Sequence, residues 1–398
     1  MSNVGCICEF NPLHNGHLSL LKRMRKEAGP DGTVICVMSG NAVQRAEFPL
    51  FNRAARARAA LECGADLVME LPFPWCAGST EDYAICGIRI LKCLGTDILM
   101  FGSECGDMDR LVSLSNALRT RFPDYREQRR RESPSLGEAR LTAEFLESSE
   151  GYLPGPNDRL GMAYLEALRN EAPDMKALTL MREPLSPSSP SATALRNRIR
   201  QDRNLDGIAG FVPGNVLPFY HLELESGYWS CSEGLGGVAT PILLFYRIAS
   251  EEILRGLYGM DSGLEKRIRK AAAMAPDGES FFAALKTKRY TDAHLRRVLL
   301  FGLTGVRASD CSDLPGYTRL IGANERGLRQ LARIKKQESE IPVLSKPADI
   351  PSGIRARKQA EFERKLDTLY TLQLSVPVPA ETGKTQSPVI VLDTGSGE

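Results

Sequence analysis

The apolar positions of this chain fall into short runs that alternate with stretches of helical period, beginning at its first residues. Residues 4–8 are continuously apolar, as in a strand buried on both faces. Asn11 and Pro12 stop that run, because proline donates nothing to a ladder and biases the residue before it toward extended geometry. From His17 the pattern turns helical: Leu18, Leu20, Leu21 and Met24 recur near a period of about 3.6, with Lys22, Arg23, Arg25 and Lys26 outside. The same reading predicts strands over 33–38, 66–70, 97–101 and 177–181. Helices are predicted over 53–62, 84–94, 108–118, 138–146, 159–169 and 192–201.

Short apolar strands alternating with helices imply an α/β fold. Its sheet is parallel and covered on both faces, and ligands lie beyond the carboxyl ends of the strands. Residues 1–205 form that domain. Residues 206–240 are rich in Gly, Pro and aromatics without clear period and read as a surface connector. Residues 241–345 are mainly helical in pattern and read as a smaller second domain, followed by a charged helix within 346–374. Pro, Thr, Ser and Gly dominate 375–398, which is expected to be a disordered tail.

With 398 residues, 42% of them hydrophobic, there is material for two cores. A net charge of +2 does not by itself announce a nucleic-acid partner. None of the ten cysteines makes a CxxC pair or a zinc spacing with His, so no metal site is expected. Several cysteines lie inside apolar runs, which suits small core residues in a reducing cytoplasm. No basic-then-apolar leader and no stretch of about 18 apolar residues is present, so neither secretion nor a membrane partner is expected.

Two of the four histidines, His14 and His17, stand three apart where the first strand gives way to a helix. A helix N-terminus offers free N–H groups and the positive end of its dipole, so both imidazoles can face one anion there. Gly16 would let that anion approach the backbone. The run reads as a nucleotide α-phosphate site; stripped of chemistry it is a polar strand-to-helix turn. Ser39, Gly40 and Arg45 follow the second strand, and Gly102 ends the fourth, where a flat base or ribose could lie. Arg182 ends the last strand. Ser191, Thr193 and Arg196 open the next helix with the hydroxyls and guanidinium that a β/γ-phosphate clamp needs, although Ser191 is also an ordinary N-cap. Further on, Lys286, Lys288, Arg289, Tyr290, Arg296 and Arg297 combine phosphate donors with a stacking ring, the composition of an RNA contact or of a solvated helix face. No Walker A, GxSxG, HExxH or GxGxxG pattern occurs, which argues against covalent catalysis and a nicotinamide site.

The combination of EFNPLHNGH, MSGNAVQRAE, ADLVMELPF, FGSECGD, PNDRLGMAYLEAL, MREP with SATALRNRI, and KTKRYTDAHLRRVLLFGLTG with RLIGANERG covers most of the chain. It resembles the bacterial tRNA(Met) cytidine acetate ligase family, within the wider His-x-Gly-His nucleotidylyltransferase superfamily. The resemblance implies a Rossmann-like nucleotidyltransferase domain with His14 and His17 catalytic. It implies ATP binding along Ile7, Cys8, Glu9, Phe10, Asn11, Pro12, Leu13, His14, Asn15, Gly16, His17, Leu18, Ser19 and Leu20, completed by Gly102, Asn157 and Arg182. It also implies that acetate is activated as acetyl-adenylate, with Mg²⁺ accompanying ATP, and passed to the exocyclic amine of the wobble cytidine of elongator tRNA(Met). The chain departs from the family at Ala42, where Phe is usual, and at Ala46, where Gly is usual. It also departs at Glu47-Phe48-Pro49-Leu50, where Glu-Pro-Ala follows that Gly, and at Arg53, where Lys is usual. Two other readings compete: an adenylyltransferase acting on a small phosphorylated cofactor precursor, and a non-catalytic RNA-binding protein.

Overall fold

Alternation within the first apolar run sorts its side chains onto two faces, and both are covered. The computed structural model describes residues 2–133, 136–183, 186, 189–261, 263–287, 289–336, 339–383 and 387–392. Strand β1 (Val4–Cys8) sends Val4, Cys6 and Cys8 into one core with Leu21 and Met24 of helix α1 (Asn15–Ala28) and Ala55, Ala59 and Ala60 of helix α2 (Arg53–Glu62). Ile7 points the other way, toward Ile88 and Leu91 of helix α3 (Thr80–Cys93). A strand with apolar contacts on both sides shows no polar alternation, which is why it reads as an unbroken apolar run.

Parallel pairing builds the sheet outward from β1. Strand β2 (Val34–Ser39) sets Cys36 opposite Cys6, and β3 (Leu67–Leu71) lies beyond it. On the other side β4 (Ile98–Ser103) pairs with β1 and β5 (Lys176–Met181) pairs with β4. The order β5-β4-β1-β2-β3 reverses direction between β1 and β4. At such a reversal the two crossovers leave to opposite faces and open a crevice at the carboxyl ends of the strands.

Four segments differ from the sequence expectation. Within the stretch expected to be helical, β6 (Thr318–Asn324) joins the sheet antiparallel to β3. Its Leu320 and Ala323 enter one core and Ile321 the other, a short two-sided pattern hidden among helices. Beyond it come β7 (Val343–Leu344) and β8 (Val389–Val391), both pairing with β6. The expected disordered tail therefore contains a strand: β8 finds an open sheet edge, and Val389 and Val391 cover apolar surface. Third, the connector contains a helix, Leu217–Ser226, entered through Pro218 in its first turn and closed by Gly227 at φ 75°. A further helix, Phe122–Glu132, shows no apolar period because seven of its eleven residues are charged; ion pairs to Glu138 and Glu144 and the buried Phe122 hold it.

The charged helix near the carboxyl end (Ile354–Thr371) is locked to the sheet by buried ion pairs. Arg53 presents both Nη atoms to Asp367 at 3.0 Å, and Asn41 donates to the same carboxylate at 2.9 Å. Arg319 joins Glu70 to Glu363, which also accepts from the Tyr317 hydroxyl at 2.6 Å. Removing one partner of such a pair strands a buried charge, at a cost of about 3–5 kcal/mol. Asp367→Ala should therefore lower unfolding stability by about that amount in urea titrations, whereas Glu361→Ala, whose Lys365 partner is solvent-exposed, should change it by less than about 1 kcal/mol.

Candidate active site

The turn after β1 is held from several directions. Phe10 takes φ 46° and the Asn11–Pro12 bond is cis. The carbonyl of Glu9 accepts from Arg56 Nη1 at 2.7 Å, and that of Asn11 from Arg196 Nη1 at 2.8 Å. Asn11 Oδ1 accepts from the Leu50 N–H at 2.8 Å, and the Leu13 N–H donates to the Tyr220 hydroxyl at 3.0 Å. Tyr220 is itself fixed by stacking on Phe51 at 4.3 Å. Sequence reasoning missed Arg56 and Tyr220. Tyr220 lies 207 residues from Leu13, and no local pattern announces such a bond.

His14 and His17 cap α1 reciprocally. His14 Nδ1 accepts from the Gly16 N–H at 3.1 Å, and His17 Nδ1 accepts from the His14 N–H at 3.3 Å. An imidazole that accepts through Nδ1 carries its proton on Nε2, so each ring keeps an Nε2–H to donate. The rings lie 3.9 Å apart, and Phe10 meets His17 edge-on at 5.2 Å. Burial, and then the charge of Arg182, pushes His14 down to about 4. Burial, His14 and Arg182 push His17 well below its usual value. Both rings are therefore neutral near pH 7 and act as hydrogen-bond donors rather than cations. Gly16 has a second reason to be glycine, since a Cβ there would stand 3.0 Å from the His14 ring.

Across the reversal, the end of β4 meets the next crossover helix. The aliphatic stem of Arg182 lies over Gly102, where a Cβ would come within 3.1 Å of it. Arg182 Nη1 reaches Asn157 Oδ1 at 3.4 Å. Glu104 accepts from the Asn157 and Asp158 N–H groups at 3.2 and 2.8 Å and from the Asn157 amide at 2.6 Å, so its carboxylate caps the helix Pro156–Glu171. His14, His17, Gly102, Asn157 and Arg182 thus gather at one sheet edge. The orphaned, fully buried Asn11 Nδ2 sits in the same turn, a donor with no protein acceptor among the described residues.

The phosphate-clamp expectation meets a different arrangement. Ser191 Oγ accepts from the Ala194 N–H, as an N-cap does. Arg196 is buried, held by the Asn11 carbonyl, Thr193 and, at 3.7 Å, Glu47. It braces the turn from behind. The basic cluster divides too. Lys286 and Arg289 are exposed, and Tyr290 stacks on His294 at 5.1 Å under the Arg289 guanidinium. Lys288 lies outside the described residues. Arg297 is buried and donates to the carbonyls of Ala77 and Gln44 at 2.7 and 3.0 Å, so a phosphate contact is not open to it. Arg296 donates to the Arg45 carbonyl and pairs with Glu47 at 2.9 Å. Charge in a sequence does not say whether a guanidinium faces solvent or a carbonyl.

Residues 1–385 match the HIGH Nucleotidyl Transferase family. A tRNA(Met) cytidine acetate ligase of Acetivibrio thermocellus is 32% identical over 98% of this chain and all of its own length. One from a Geobacillus species is 32% identical over 96% of each. The chain belongs to the tRNA(Met) cytidine acetate ligase family. Its fold is that of Thermotoga maritima TmcAL, matched at a TM-score of 0.88 and 24% identity over 98% of this chain and all of that one, in a crystal structure bound with alpha-thio ATP. The apo crystal form matches at 0.88 and 23% over the same shares. Among the described residues no helix is long and apolar enough to cross a membrane.

The departures from the ligase family now have a setting. Arg53, in place of the usual Lys, uses a two-pronged grip on Asp367 that an ammonium cannot make. Ala46 takes φ 53°, a backbone region that the usual Gly would occupy without strain, and both Ala42 and Ala46 are fully buried.

A depressed histidine makes a pH-stability signature. His14 sits at about 4 in the native protein against 6.5 in the unfolded chain. Between those values the unfolded chain binds the extra proton, so stability is lost as pH falls from 6.5 toward 4. The loss amounts to roughly 3 kcal/mol for this group. Urea midpoints measured across that window should fall steeply for the wild type and less steeply for His14→Gln. An unchanged slope would remove the neutral His14 from the account.

Proposed function

We propose that this chain acetylates the exocyclic amine of the wobble cytidine of elongator tRNA(Met), in the cytoplasm, by way of acetyl-adenylate made from ATP and acetate. The observation that carries the reading is the pair of neutral imidazoles capping α1 at the sheet reversal, each with an Nε2–H free to donate. Full-length similarity to the ligases supports the choice of substrates.

The chemistry needs little else. An acetate oxygen attacks the α-phosphorus, the bond to the bridging oxygen breaks, and pyrophosphate leaves. Charge that builds on the α-phosphoryl oxygens is met by the Nε2–H groups of His14 and His17, with the positive end of the α1 dipole behind them. Arg182, held over Gly102, supplies a fixed positive charge beside them. Cytidine N4 then attacks the acetyl carbon, AMP departs and N4 gives up a proton. The anticodon loop offers that base unpaired. Among the described residues Glu9 accepts from the Gln44 N–H and Glu104 from the Asn157–Asp158 turn, so both carboxylates are already engaged. Mg²⁺ arriving with ATP would offset negative charge on the departing pyrophosphate.

Labelled acetate separates the readings. The ligase puts label on tRNA and releases AMP and pyrophosphate, whereas an adenylyltransferase keeps AMP in its product and ignores tRNA. A non-catalytic RNA-binding protein releases neither. His14→Ala or His17→Ala should slow acetate-dependent pyrophosphate release by on the order of 10²–10³, with much less effect on ATP binding. Unchanged turnover in both variants refutes the assignment.

A further inference from the structure

Three cysteines that the proposed chemistry leaves unused converge in the core beneath the active-site turn. Cys6 and Cys8 project to the same face of β1, and Cys36 is the cross-strand partner of Cys6 on β2. Their sulfur atoms all lie within 4.8 Å of one another, and Cys6 Sγ is 3.7 Å from Cys36 Sγ. All three are buried and unpaired by disulfides. Among the described residues this is the one group of three metal-ligating side chains that meets so closely.

We propose that Cys6, Cys8 and Cys36 form a three-thiolate site for a soft divalent d¹⁰ cation of the zinc, cadmium and mercury group. Metal–sulfur bonds of about 2.3 Å in a trigonal plane place the sulfurs about 4.0 Å apart, close to the spacing the strands already impose. Thiolates select soft cations over hard ones. The pairing of two adjacent strands fixes the ligands, so little rearrangement is required. On binding, three S–H bonds break, three metal–sulfur bonds form and three protons leave to solvent. The complex then carries a single negative charge.

A counter-charge stands ready in the same region. Arg56 is fully buried, and no carboxylate lies within ion-pairing distance among the described residues. Its guanidinium donates to the carbonyls of Glu9, Ser39, Gly40 and Phe51 instead, and Cys8 is among the groups whose charge acts on it. An anionic thiolate complex near a buried cation that makes no ion pair is less costly than either alone. Cys8, the last residue of β1, is the most exposed of the three at 7%. Among the remaining cysteines, Cys231 is the exposed one.

The full-length reduced protein, titrated anaerobically with Cd²⁺, tests this without reference to catalysis. The expected result is a thiolate-to-cadmium charge-transfer band that saturates at one equivalent, accompanied by proton release and a raised melting temperature. Cys36→Val, which keeps the strand apolar, should weaken that binding at least about 100-fold, while Cys231→Ser should leave it intact. Should Cys36→Val fail to fold, Cys8→Val at the strand end gives the same reading. Absence of a saturable band in the wild type, equal affinity in the folded valine variants, or loss of the band in Cys231→Ser would each overturn the site.

Discussion

One buried guanidinium organises the carboxyl edge of the sheet. Arg56 donates to the carbonyls of Glu9 after β1, of Ser39 and Gly40 at the end of β2, and of Phe51 ahead of its own helix. Those four oxygens belong to three loops that would otherwise repel one another and face an apolar interior. Guanidinium is suited to the task because it offers five donors in a plane and stays charged where burial pulls its pKa down. Everything nearer the substrate depends on that tie: it fixes where β1 ends, and hence where α1 can begin.

That arrangement also explains why the two histidines work as neutral donors. Burial comes first, and the fixed positive charge of Arg182 and the dipole of α1 add to it. A protonated imidazole would be repelled there and desolvated as well. Neutral rings capping each other through Nδ1 keep their Nε2–H groups aimed by the backbone, and the triphosphate supplies the negative charge. In the proposed chemistry, donors preorganised in this way would bind more strongly as charge develops on the reacting phosphorus.

The parts of the fold that were legible in the sequence are those where local pattern and burial agree. Strands covered on two faces appear as apolar runs, and α2 spans the predicted residues, 53–62. The parts that were not legible depend on partners far away. Strand β6 is a seven-residue segment inside helical surroundings, and its place is set by β3, some 250 positions earlier. Strand β8 has three apolar residues in a Pro- and Ser-rich tail and is a strand only because β6 offers an edge. The turn from β1 into α1 was legible through His14, Gly16 and His17, but its supports Tyr220 and Arg56 were not. Arg196, Arg296 and Arg297 were visible as charge and invisible as braces.

The braces meet on one short loop. Residues 44–47 give carbonyls to Arg296 and Arg297, the Gln44 N–H goes to Glu9 at 2.9 Å, and Glu47 pairs with both Arg196 and Arg296. Glu9 lies in the turn after β1 and Arg196, on the helix Ala192–Asp202, braces that turn; Arg296 and Arg297 belong to the helix Asp292–Thr304 of the basic, mainly helical region. The loop is thus a common wall, and its backbone cannot shift without disturbing both. Ala46 at φ 53° sits within this wall, so its strain is borne by contacts on either side rather than relieved by a free loop. A wall shared in this way holds the turn after β1 and the mainly helical region in a single register, the kind of fixed geometry that a reaction between two bound groups requires.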